Sequence, residues 1–230
     1  MPLSEERIAR WSRQLLVPGL GEAAQERFAA ARVRVVGAGG VAGAALAYLA
    51  EAGVGTIWID DPENVAPADA GAWLYPPSAV GSPRVAAAQA ALEALSRFTA
   101  VDPYPTGGVP SAALVCAPSI AQALAAAEQS RRARIPHVVV EIDADGGGIV
   151  AVPPAAPCYA CARSTDSAGR PPAPGAAAIG ALAAGELLLL LADPARTEGR
   201  KIDVVRGVAS VRPTARLPGC ACGAAAPPAP

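Results

Sequence analysis

The apolar positions of this chain follow two rhythms that alternate along most of its length. Residues 4–31 repeat at helical spacing, as SEERIARWSRQLL and GEAAQERFAAA with a turn at Val17-Pro18-Gly19 between them. Ser4 followed by Glu5 and Glu6 marks a capped helix start: a hydroxyl accepts from an orphan N–H, and acids favour the positive end of the helix. VRVVGAG, residues 33–39, is a short apolar β-branched run ending in glycines, which reads as a buried parallel strand. Helical spacing returns over 41–52, with Leu46, Leu49 and Ala50 on one face, and TIWID, residues 56–60, predicts a second buried strand.

A Pro-, Ala- and Gly-rich stretch at 62–83 then predicts a long loop, of the kind that is functional or disordered. Beyond it, RVAAAQAALEALSRF predicts a helix over 84–98, SAALVCA a strand over 111–117, QALAAAEQSRRARI a helix stopping before Pro136, and HVVVEID a strand. Strand alternating with helix indicates an α/β class chain with a doubly wound, mostly parallel sheet. After Asp143 the pattern changes: DGGGIVAVPP predicts a turn into a strand that need not be parallel. A loop at 166–175, an apolar helix over 176–192 and a closing hairpin in IDVVRGVASVRP follow. No internal repeat is present, and residues 224–230 are expected to be a disordered tail.

Composition narrows the class. At 230 residues, 52% apolar and 17% charged, the chain can bury one large core. A formal charge of −1 argues against nucleic acid or an anionic membrane surface as partner. The run Arg131-Arg132-Ala133-Arg134 reads as a solvated helix end. The opening MPLSEERIARWSRQ is too polar for a secretory signal. Residues 176–192 are slightly short for a membrane span and contain Glu186, so a buried helix against a sheet or second subunit is expected, in a cytoplasmic chain. Five cysteines, four in close pairs, fit a reducing compartment with a metal site better than a disulfide scaffold. Cys116 reads as an apolar strand residue, and His137, opening a strand after Ile135-Pro136, is not expected to be catalytic.

The chemistry centres on a glycine loop between strand and helix. Gly37 permits a tight turn, Gly39 lets the backbone approach a phosphate, and Ala42 allows close helix packing, which is a Rossmann-like arrangement. An anion would rest on the N–H groups at the helix start, and Asp61, or Asp60 beside it, could accept from a ribose. Taken alone, the loop suits NAD, and an NAD-dependent oxidoreductase would rest on it alone. A turn whose glycines only solve a packing problem is the bland alternative.

Three outer motifs change that. RWSRQLL lies upstream of the loop, VGSPR ends at Arg84, and PCYAC and GCAC place Cys158, Cys161, Cys220 and Cys222 in two pairs. With RWSRQLLVPGLGEAAQERFAAARVRVVGAGGVAGAALAYLAEAGVG, these motifs resemble the ThiF/MoeB/HesA superfamily, bacterial relatives of ubiquitin-activating enzymes, from Arg10 to about Gly223. The resemblance implies a single nucleotide-binding domain over 1–223, made of N-terminal helices (4–31), a Rossmann-like core (32–150) and a C-terminal portion with the cysteine pairs (151–223). It further implies binding of Mg-ATP, adenylation of the C-terminal carboxylate of a ubiquitin-like or sulfur-carrier protein or a peptide, and release of pyrophosphate. It implies a dimer in which Arg13, of the RxxRQ motif, reaches the neighbouring subunit's ATP site. Gly37, Gly39 and Gly40 become phosphate-loop residues, Asp61 the ribose acceptor, and Glu63 the second acid after that strand. Arg84 takes the place of a phosphate-contacting lysine. The four paired cysteines correspond to a structural zinc site. Zinc-bound sulfurs sit roughly 3.8 Å apart, so Cys220 and Cys222 must share a tight turn, which Gly219 and Gly223 permit.

The chain also departs from that family pattern. Asp69 stands where the family has an asparagine, Ala72 at its arginine and Trp73 at the following glutamine, and no basic residue lies between Asp60 and Arg84. The Mg²⁺-organising aspartate is replaced by Pro118 or Ser119, with no carboxylate between Asp102 and Glu128. STDSAGRPPAPG lacks the cysteine that thioester- or persulfide-forming members carry. Losing one group that stabilises transition-state charge costs on the order of 10²–10³ in rate. The expectation is therefore a catalytically degenerate member acting as a homo- or heterodimer-forming partner or binding subunit. The alternative is an active adenylyltransferase in which Asp69 or Glu63 holds Mg²⁺ and Arg84 clamps phosphate.

Overall fold

In the computed structural model, which describes residues 3–70, 74–163 and 173–223, Val33 and Val35 of β1 (Arg32–Val36) lie fully buried in the middle of an eight-stranded sheet. β2 (Thr56–Asp60), β3 (Ala100–Pro103), β4 (Ala112–Val115) and β5 (His137–Ile142) join β1 in the order β3-β2-β1-β4-β5, all parallel. β6 (Gly146–Val152), β7 (Arg200–Val205) and β8 (Val208–Pro213) continue the sheet antiparallel, each paired with its predecessor. The change of strand direction after Asp143 thus falls where the hydrophobic pattern changes. β7 and β8 close the expected hairpin through Arg206 and Gly207, both with positive φ (49° and 83°), as a two-residue turn of matching twist demands.

Helices cover the two faces unequally. α3 (Gly40–Glu51) and α7 (Ala173–Ala192) lie on the larger core, with α2 (Glu22–Ala30) and α4 (Arg84–Leu95). α3 is built almost wholly of Gly, Ala and apolar residues, which lets α7 approach closely; a Cβ on Gly180 would run into the Val41 carbonyl. α5 (Ile120–Arg132) and the one-turn α6 (Tyr159–Ala162) cover a smaller cluster on the opposite face, with Val115, Val139 and Val150.

The apolar stretch 175–192 meets the length and hydropathy of a membrane span, yet Ile179, Ala183, Ala184 and Leu187 are buried against the sheet and α3. Ile179 and Leu187 each contribute about 1.5–3 kcal/mol by leaving water. Glu186, the charge within that stretch, is paired with Arg200 of β7.

Boundaries shift where local chemistry decides. α1 (Glu5–Trp11) begins after Ser4, whose hydroxyl accepts from the Arg7 N–H at 3.3 Å, and a short 3₁₀ turn at Gln14–Leu16 follows it. α4 stops at Leu95, not 98, because Ser96 turns extended; this frees Phe98 to pack on Trp11 with ring centroids 5.1 Å apart. α5 starts two residues earlier than expected, capped by Ser119, and α7 begins at Ala173. β3 had no clear signal: AVDP is short, mostly exposed and ends in proline, which an edge strand tolerates. The loop at 62–83 is pinned by its own backbone, through Val65 N–H to the Ser82 carbonyl and Gly81 N–H to that of Val65. Ala72, Trp73, most of STDSAGRPPAPG and the tail 224–230 lie outside the described residues.

Candidate functional site

The strand order reverses between β1 and β4, and a cleft of about 550 Å³ opens at their C-terminal ends and that of β5. Gly37, Gly39 and Gly40 form one wall, Cys116–Ser119 and Val140–Ile142 the other. Gly37 has φ +83°, and a Cβ there would stand 2.5 Å from the Cys116 carbonyl oxygen, so only glycine fits. Gly39 is different. A Cβ on it would meet only Asp69 Oδ1 at 3.5 Å and the Arg84 guanidinium at 3.8 Å, ordinary contacts, so folding alone does not demand glycine there.

Arg84 is brought to the cleft by the first turn of α4, and the pinned loop brings Asp69 opposite it. Asp69 Oδ1 accepts from the Gly40 N–H at 3.1 Å, at the start of α3. Its Oδ2 accepts from the Ala66 N–H at 3.1 Å and from Arg84 Nη2 at 2.8 Å. Arg84 Nη1 donates to Asp61 Oδ2 at 3.1 Å, so the guanidinium spans two carboxylates. Burial alone would raise the Asp69 carboxyl, but the hydrogen bonds from Arg84, Ala66 and Gly40 outweigh it and hold the pKa below the usual value. For Arg84, burial acts to lower the pKa, and the two carboxylates more than restore it.

Of the residues singled out in the sequence, Gly37, Gly39, Gly40 and Arg84 come together around the cleft. Asp61 does not line it. Its Oδ2 accepts from the Ala38 N–H at 2.7 Å and its Oδ1 from the Glu63 N–H at 2.8 Å, so it braces the glycine loop from behind. Asp60 is paired with Arg34, and Glu63 is exposed. Arg13 is exposed beside the 3₁₀ turn and lies outside this cleft. Ser119, in the turn after β4, spends its hydroxyl on capping α5. His137 is buried, its Nδ1 3.0 Å from the Ile135 carbonyl oxygen, and burial lowers its pKa.

Three cleft-side groups were not legible beforehand. Glu141 lines the cleft and pairs at 2.6 Å with Lys201, which is 1% exposed and 3.5 Å from Asp203. Tyr159 lines the cleft as well and is hydrogen-bonded to Glu141, with burial raising its pKa. The only hint was the acid near the end of the apolar run in HVVVEI and the three charges that open RKIDVV. Nothing in the spacing could pair residues 60 positions apart.

The second site is the cysteine cluster. Sγ of Cys158 lies 3.7 Å from those of Cys161 and Cys220, and Cys161 lies 3.7 Å from Cys222. All four sulfurs fall within 4.8 Å of one another, and tetrahedral thiolates around one ion need roughly 3.8 Å. The cluster can therefore hold a metal ion. Cys158 caps α6, whose single turn presents Cys161. Gly219, at φ +76°, and a 3₁₀ turn at Ala221–Gly223 fold the second pair back as its two-residue spacing requires. Burial pushes the Cys158 thiol up to about 12. At Cys222 burial also acts upward, but hydrogen bonds from the Cys158 backbone and the neighbouring thiols bring it down to about 6.

Comparison with known proteins agrees with this geometry. The ThiF family model matches residues 11–220. The chain is 37% identical over 106 residues to the sulfur carrier protein adenylyltransferase of Thermus thermophilus, covering 46% of this chain and 39% of that one. It is 56% identical over 59 residues to the probable adenylyltransferase/sulfurtransferase MoeZ of Mycobacterium tuberculosis, covering 26% of this chain and 15% of that one. The matched stretches thus span well under half of these relatives' length. In fold the chain is similar to E. coli MccB crystallised with ATP, at TM-score 0.75 and 18% identity, covering 93% of this chain and 73% of that one.

Proposed function

The chain belongs to the ThiF family, and from that membership we propose that it is a catalytically reduced member. In this reading it keeps the nucleotide cleft and a structural zinc site, and works as a dimer-forming or partner-binding subunit. Its partner is a second subunit, identical or not, together with a ubiquitin-like or sulfur-carrier protein or a peptide C-terminus. Arg13, exposed and away from its own cleft, is then the residue it lends to the neighbouring subunit. The four clustered cysteines are the zinc ligands.

One observation carries the reading. Among the described residues that line the cleft, Arg84 is the single cation, and it is already bridged to two carboxylates, while the turn after β4 offers Pro118 and Ser119 in place of an acid. Adenylation builds negative charge on the α-phosphate and the departing pyrophosphate, which fixed cations and a held Mg²⁺ must stabilise. A neutralised guanidinium and a hydroxyl supply little of either. The test is ATP–pyrophosphate exchange by the zinc-loaded chain with carrier proteins or peptides of defined C-terminus. No exchange above background by the chain alone is expected. Robust exchange would instead establish the second reading, an active adenylyltransferase with substitute residues, for which Arg84's place on the cleft wall is the favouring observation.

A further inference from the structure

The helix start beside a glycine loop is an anion seat: its N–H groups are unpaired within the helix and the backbone dipoles favour negative charge there. In this chain the first N–H of that seat is already bonded to a side chain. The Gly40 N–H, at the first residue of α3, donates to Asp69 Oδ1, and Arg84, the cation facing the seat, donates to Asp69 Oδ2. The room that Gly39 leaves by lacking a side chain opens onto the same two groups. Asp69 is 3% exposed and its backbone N–H is tied to the Ala66 carbonyl at 2.9 Å, so the carboxylate is held in the seat by its own loop.

We propose that Asp69 is an internal stand-in for a phosphate group, which makes it the residue that sets ligand choice in this cleft. It occupies the hydrogen-bonding positions a nucleotide's phosphate would use and turns Arg84's charge inward. The cleft then favours the nucleoside end of a ligand and disfavours a polyphosphate chain. The charge balance agrees. Arg84 faces two carboxylates, and Glu141, farther along the wall, is matched by Lys201, so the phosphate end carries no surplus positive charge. This proposal rests on the reading of the cleft as a nucleotide site.

The experiment is calorimetric titration of Mg-ATP and, separately, of adenosine into the zinc-loaded chain and into Asp69→Asn. Asparagine keeps an acceptor for the Gly40 N–H and removes the charge. Asp69→Ser is carried alongside in case the amide variant folds poorly, with circular dichroism melting to verify both. The expected result is adenosine binding equal in all forms, and Mg-ATP binding tightened about tenfold or more once the like charge is gone. Unchanged or weaker Mg-ATP binding by the folded variants, with adenosine still bound, overturns the stand-in role and leaves the nucleotide cleft intact. Failure of every form to bind either ligand overturns the nucleotide reading itself, and this proposal with it.

Discussion

The two sites were equally visible as motifs, yet they arrange their donors in different ways. The cysteine cluster holds its donors at the spacing a tetrahedral ion needs, with neighbouring sulfurs 3.7 Å apart. The glycine-loop cleft has its volume and its backbone donors, but the anion position is filled from within by Asp69 and the nearby cation is bridged between Asp69 and Asp61. The difference lies in what each donor faces. Four thiols turned toward one another share a position that a metal ion fits; an N–H and a guanidinium bonded to carboxylates have spent their hydrogen bonds within the protein. A motif therefore reports where a ligand would sit, and only the partners of each donor report whether the place is open.

The largest expected effect tests the cysteine site. α6 has four residues and is anchored between Cys158 and Cys161, so an ion shared with Cys220 and Cys222 ties it to the C-terminal turn. Removing zinc with a chelator, or replacing Cys158 and Cys220 with serine, should cost about 3 kcal/mol or more, roughly 6–12 °C in Tm. Elemental analysis should find one zinc per chain before removal and none after. A metal-free protein melting at the same temperature would make the cluster a bystander.

A middle-sized effect separates folding from ligand binding within the cleft. Gly37→Ala should destabilise by about 2–3 kcal/mol, since a Cβ meets left-handed backbone and the Cys116 carbonyl at once. Gly39→Ala should change stability by only about 0.5 kcal/mol, because its methyl finds ordinary contacts. Its effect should fall on nucleotide affinity. Denaturant unfolding and ligand titration of the two variants decide the point; equal destabilisation by both would erase the distinction between a structural and a ligand-facing glycine.

The smallest effect concerns acid. The Asp69 pKa is depressed in the folded state, so its contribution is fully present above the ordinary value of 3.8 and is lost as pH falls through the lower folded value. Asp69→Asn should therefore lose less stability than the parent chain over that acid range, at unchanged slope near neutrality. Melting curves at several pH values would show it. An identical acid limb in both proteins would mean that the pairing of Asp69 with Arg84 contributes nothing to stability.

Much of this molecule could be read in advance, for identifiable reasons. β1, β2, β4 and β5 are short apolar runs that end in glycine, acid or proline, and α3 and α7 are apolar helices whose burial follows from their composition. The cysteine pairs were legible because coordination geometry is stiff enough to convert spacing into a turn. β3 escaped notice because an edge strand of four residues receives most of its definition from β2 beside it. Asp69 was located at the family's asparagine position, but its destination was not. Whether it would face solvent, Mg²⁺ or Arg84 depended on how the loop pinned through Val65 and Ser82 brought it to α3.

The sequence by itself determined the α/β class, the change of pattern after Asp143, the position of the glycine loop and the four-cysteine set. Local periodicity and ligand stereochemistry act over a few residues, so these features need no distant partner. Tertiary structure alone decided the rest: that Glu141 and Lys201, 60 residues apart, form a buried pair beside the cleft, that Asp61 braces the loop from behind, and that Asp69 fills the anion seat. Those are outcomes of which charges meet once water is excluded, and no pattern along the chain encodes a meeting between segments that only the folded sheet brings together.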